Sequence, residues 1–225
     1  MKYLLTSMLI LSSVLLPLTA LLICVRKYSA GTDHALYGIL AFIISRVMLS
    51  EPILRYISGT LPYYMFSVSR PALCAVSDAV ISSVFSVTGL YTAYLLSGRD
   101  RINGWSAIVL SSAYAAMYAL YSFGIPAVYG LISNQTYLNS FNDISGACIS
   151  CVLLLIISLS SGILVSETAL NRRAVYVFAS FIAETFLFLA LKSFSSGTSA
   201  AALLLAAAFS GIFARTVTKN RIIPK

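Results

Sequence analysis

The chain has 225 residues, 59% of them apolar and only 10% charged, with a mean hydropathy of +0.91. That excludes an ordinary soluble domain, because so much apolar side chain would leave large patches facing water. The formal net charge of +8 then reads as a membrane-topology signal, with basic flanks drawn to anionic lipid, and not as a nucleic-acid footprint.

A hydrocarbon core about 30 Å thick takes roughly 20 apolar residues of helix. Runs of that length recur here, and the alternation of membrane β-strands is absent. The chain is therefore predicted to be all-α, a polytopic integral membrane protein folded as a single helical domain over residues 1–225. Its seven spans fall at about 3–25, 35–56, 72–96, 105–123, 144–166, 173–192 and 198–215. The first run is long for a signal peptide and Leu18-Thr19-Ala20 makes a poor cleavage site, so it is read as a retained span. Arg26, Lys27, Arg99, Arg101, Arg172, Arg173, Arg215, Lys219, Arg221 and Lys225 fall on one side of this arrangement. Lys2, Arg55, Arg70 and Lys192 fall on the other, which places the N-terminus outside and the C-terminus in the cytoplasm.

Two external connections are longer than the rest, Ile57–Pro71 and Gly124–Asp143, and their tyrosines suit the headgroup level. Cys24, Cys74, Cys148 and Cys151 lie in or beside apolar runs and read as small buried residues. Serine-rich stretches at 82–88, 157–161 and 193–199 read as helix-contact residues, since small hydroxyl side chains allow close approach in lipid. The last span repeats the theme as Ala202, Ala206, Ser210 and Ala214, a packing face within the protein or between protomers of a homo-oligomer.

Four charges fall inside spans: Arg46, Glu51, Asp78 and Glu184. Each costs about 2.5–3.5 kcal/mol at the bilayer centre and so needs a partner, a cavity or a route to the interface. Arg46 and Glu184 share a depth and are expected to pair. Arg46 and Glu51, five residues apart, are expected on different faces of one helix, with partners supplied by other helices. Together the four either line a polar chamber opening outward or act as structural locks.

One stretch carries a resemblance. Ser86-Val87-Thr88-Gly89-Leu90-Tyr91 resembles the segment where the YhfC family of glutamic-type intramembrane proteases, in the CAAX-protease and bacteriocin-processing-like superfamily, carries Glu-Glu-Thr-Gly-Arg-Tyr. Thr88, Gly89 and Tyr91 are kept, Ser86 and Val87 replace the acids, and Leu90 replaces the arginine. Gly38–Ile57 is similar to the family's second span, including Pro52. Tyr114 and Tyr118 stand where a Gly-His-Gly-Gly-x-Glu-Ala pattern places His and Glu, and Ser180 with Glu184 stand where a later helix carries His and an acid.

The resemblance implies the fold of an intramembrane protease in a bacterial cytoplasmic membrane. The replaced residues argue against its chemistry, because hydrolysis needs a base to activate water, and a metal needs several His or carboxylate ligands held together. His34 is the one histidine. The expectation is a pseudoenzyme without catalytic residues, metal or cofactor, whose former substrate chamber binds a membrane peptide, a lipid or a partner protein. The alternatives are an active protease of this type, or a membrane subunit of a transporter or bacteriocin-immunity system. No Gly-x-x-x-x-Gly-Lys loop is present, so a transporter role would need a separate ATPase.

Overall fold

A computed structural model describes residues 7–27, 31–98, 104–133, 141–171 and 174–192, with Ala208 and Gly211. Every described element is helical. Six helices are long and apolar enough to cross a membrane: α1 (Ser7–Arg26), α2 (Thr32–Ser58), α4 (Pro71–Leu96), α5 (Gly104–Gly130), α6 (Gly146–Asn171) and α7 (Ala174–Leu191). Between α2 and α4 lies the short α3 (Leu61–Ser69). The expected seventh span, 198–215, and its small-residue stripe lie outside the described residues, apart from Ala208 and Gly211.

Both longer connections contain helix. Thr60 is extended and Pro62 sits in the first turn of α3, where its missing N–H costs nothing. The span expected to stop at residue 123 continues to Gly130, through the start of the predicted Gly124–Asp143 connection. Pro126 does not end it, and the reason is a local change of helix type.

Three membrane helices contain an interior proline, Pro17, Pro52 and Pro126, and in each a π-helical stretch closes two residues earlier: Leu11–Leu15, Ile43–Ser50 and Leu120–Gly124. The amide just before each proline donates to the carbonyl five residues back, Leu16 to Leu11, Glu51 to Arg46 and Ile125 to Leu120. Proline has no N–H and its ring crowds the carbonyl four residues back, so a widened turn lets the helix pass through.

α5 is the hub. It packs on α1, α2 and α6, while α4 packs on α2, α6 and α7. Twelve of the sixteen residues in Gly104–Ala119 are buried, mostly Ala and Ser, and such small side chains let neighbouring backbones come close. Where α2 crosses α5, a Cβ at Gly38 would overlap the Leu110 carbonyl. Described serines sit at helix contacts: Tyr94 Oη and Ser111 Oγ are 2.8 Å apart across α4 and α5, and Ser83 Oγ and Thr185 Oγ1 are 2.9 Å apart across α4 and α7, while the stretch 193–199 lies outside the described residues. α4 closes on Gly98, whose φ of 86° is open to glycine at little cost, with Ser97 N–H donating to Ala93 O. Leu22, Ile23, Met48, Val175 and Phe178 point out of the bundle. A surface of that kind is the lipid face of a membrane protein.

Candidate functional site: a polar chamber within the helix bundle

The widened turn of α2 builds the first wall. In a regular α-helix residues five apart diverge, but Ile43–Ser50 is π-helical and Glu51 N–H bonds to Arg46 O, which stacks the two residues. The expectation that Arg46 and Glu51 face different ways is corrected by that turn. Both line one cavity of about 490 Å³ together with Asp78, Ala79 and Ser82 of α4, Tyr118 and Tyr121 of α5 and Phe188 of α7. The cavity lies toward the end of the bundle where α2, α5 and α7 finish and α4 begins.

Each carboxylate at this level has a tyrosine. Tyr121 Oη donates to Glu51 Oε2 at 2.6 Å, and Tyr63 Oη of α3 donates to Asp78 Oδ1. Partial burial, and then the Asp78 carboxylate, push the Tyr63 phenol above its ordinary value, so it remains a donor.

Arg46 is settled differently from the expected ion pair. Its guanidinium carbon lies 4.3 Å from the Phe188 ring centroid and 5.5 Å from that of Tyr118, and Nη1 donates to Ser50 Oγ at 3.2 Å. A cation on an aromatic face gains about 0.5–2 kcal/mol, more as water is excluded, which offsets part of its insertion cost. Glu184 makes no direct bond to it: both carboxylate oxygens are buried without a hydrogen-bond partner, with Ser161, Arg46 and Ser86 as polar neighbours.

The positions singled out by the resemblance fall one turn deeper. Ser86 Oγ lies 2.7 Å from Tyr114 Oη, joining α4 to α5, and Ser161 Oγ lies 2.5 Å from Ser180 Oγ, joining α6 to α7. Ser86, Tyr114, Ser180 and Glu184 are all fully buried in this tier, and Tyr118 sits at its border with the chamber. Val87 and Leu90 are packed into the apolar core. Of the kept residues, Gly89 has a clear structural reason, because a Cβ there would strike Ser45 of α2. Thr88 faces an apolar groove of about 310 Å³ between α2 and α4, away from the chamber.

Sequence reasoning passed over Tyr121 and Phe188, and it read Tyr63 only as a headgroup-level aromatic and Ser82 and Ser161 only as helix contacts. Tyr121 continues the Tyr114 and Tyr118 stripe at helical spacing and was visible in principle. Among the described residues no three His, Cys, Asp or Glu side chains come together as metal ligands, and His34 lies buried away from the chamber lining. The chain matches no family model, no curated protein and no solved structure.

Proposed function

We propose that this is a multi-pass protein of a bacterial cytoplasmic membrane, resembling an intramembrane protease in outline, whose chamber binds a membrane peptide, a lipid or a partner protein without cleaving it. The observation that carries the reading is the lining. Arg46, Glu51, Asp78, Tyr118 and Tyr121 converge from three helices on one open cavity, and convergent polar groups in a concave, largely apolar site are the usual mark of a binding pocket. Both carboxylates already accept a hydrogen bond from a tyrosine. Of the positions that resemble an intramembrane protease's acids and histidines, Glu184 alone keeps an acid, and the others hold Ser, Val and Tyr, none of them an evident base near neutral pH. With the N-terminus outside, the end of α2 and the start of α4 face outward, and so does the chamber mouth.

A cysteine-free background isolates the test, since Cys24, Cys74, Cys148 and Cys151 are all free thiols. Ser82→Cys, on the chamber wall, is expected to react with a membrane-impermeant thiol reagent added from outside faster than Val84→Cys, whose position faces out of the bundle. Equal rates would remove the chamber, and labelling of Ser82→Cys only from the cytoplasmic side would reverse the topology.

One observation favours a second reading, an active protease. Glu51 and Asp78 reach the same cavity from different helices, which brings two carboxylates to one site although no two are adjacent in the chain. Cleavage of a single-span peptide in liposomes, lost on Asp78→Asn, would establish that reading in place of the first.

A further inference from the structure

The helices that wall the chamber carry a second polar tier beneath it. Ser82, Tyr118 and Phe188 line the cavity, and four residues inward on the same helices stand Ser86, Tyr114 and Glu184, each fully buried. Four polar atoms around this tier have no hydrogen-bond partner: Arg46 Nε, Tyr118 Oη and both carboxylate oxygens of Glu184. Unmade hydrogen bonds are rarely left together in a native interior; Arg46 and Tyr118 line the cavity, and Glu184 is buried one turn beneath Phe188, which also lines it. The set is mixed, since Arg46 Nε–H only donates, Tyr118 Oη donates or accepts, and Glu184 accepts when charged. Water, which donates and accepts, satisfies such a set, and so does a proton on the carboxyl.

We propose that Glu184 is a proton-binding site reached by water from the chamber, neutral when protonated and held by the Arg46 charge when not. Release breaks the carboxyl O–H bond, leaves the electron pair on Glu184 and passes the proton to water in the chamber; uptake is the reverse. The groups facing Glu184 are Ser161 of α6, Arg46 of α2, Ser86 of α4, and Tyr114 and Tyr118 of α5, with Glu51 acting on Tyr118 from the chamber. Arg46 is the charged neighbour among the described residues. The site rests on the geometry of the chamber and not on what occupies it.

The test uses the full chain in liposomes and dicyclohexylcarbodiimide, which modifies protonated carboxyls in apolar surroundings, with the Glu184 peptide followed by mass spectrometry. The adduct is expected on Glu184 and absent from Glu184→Gln, with a rate that falls about tenfold for each pH unit above the titration midpoint. Arg46→Gln is expected to move that midpoint to higher pH, because the charged form loses its cation. A carboxyl that the Arg46 charge does not hold would show no such shift. No adduct at any pH, a pH-independent rate, or an unchanged midpoint in a monodisperse Arg46→Gln protein would overturn the proposal. So would protection by sodium but not choline at fixed pH, which would make the bound ion a metal cation. Thiol labelling of Ser82→Cys reports the chamber separately, so a closed chamber is distinguished from a Glu184 that exchanges no proton.

Discussion

The Ser86–Tyr114 hydrogen bond offers a direct measure of what the buried polar tier contributes. Its two oxygens are 2.7 Å apart and both residues are fully buried. Tyr114→Phe removes one oxygen and leaves the ring, so the edge-on contact with Phe42 at 5.7 Å is kept. Ser86→Ala likewise opens little space. Each single change leaves a buried hydroxyl without this partner, at a cost near the low end of about 1–3 kcal/mol. Ser86 still has Glu184 beside it, and Tyr114 still has Ser45. Interhelical hydrogen bonds in membranes average about 0.6 kcal/mol and reach about 1.7 kcal/mol, so the double change is expected to cost less than the sum of the singles by about 1 kcal/mol. Unfolding by sodium dodecyl sulfate from a mild detergent gives the four free energies. The Tyr94–Ser111 pair is the comparison: Tyr94 Oη also reaches Ala107 O at 3.1 Å, so its coupling should be smaller. Additivity at Ser86 and Tyr114 within about 0.3–0.5 kcal/mol, beside a larger coupling at Tyr94 and Ser111, would refute the reasoning.

Gly89→Ala is expected to destabilise the α2–α4 crossing by about 1–3 kcal/mol through overpacking against Ser45. Ser45→Gly should restore part of that loss in the same unfolding assay, and no rescue would show that the contact is not the cause. Phe188→Leu removes the ring beneath Arg46 and should cost about 1–2 kcal/mol. Tyr118→Phe keeps a ring there, deletes a hydroxyl with no partner and should be near neutral. The opposite order in thermal stability would disprove the aromatic seat of Arg46.

Much of the architecture was legible because membrane helices announce themselves: an apolar run of bilayer length is hard to build for any other purpose. Six of the predicted spans coincide with α1, α2 and α4 to α7, with ends shifted by up to seven residues at Gly130. Ser86, Tyr114, Ser180 and Glu184 were singled out by the resemblance and not by periodicity, and the structure buries all four. What could not be read was anything that depends on a departure from the regular helix. The rule that residues five apart diverge failed at Arg46 and Glu51, although Pro52, whose effect on the ladder causes the failure, is in plain view. Tyr63 was assigned to the headgroup level because a short connecting helix leaves no periodic trace that its hydroxyl turns back to Asp78. The choice between an ion pair and an aromatic seat for Arg46 depends on Phe188, which in the sequence is one of twelve phenylalanines with nothing to mark it.

The distribution of the widened turns gives the bundle two kinds of wall. α4, α6 and α7 run as uninterrupted α-helices, while α1, α2 and α5 each contain one π-helical stretch. The chamber lies between a member pair of each kind, α4 and α7 on one side and α2 and α5 on the other. A continuous hydrogen-bond ladder resists bending, and a ladder already shifted by one residue resists it less. The two walls therefore differ as beams do: an occupant large enough to strain the chamber is expected to bend α2 first, at the widened turn that runs from Arg46 to Glu51, against the uninterrupted ladders of α4 and α7.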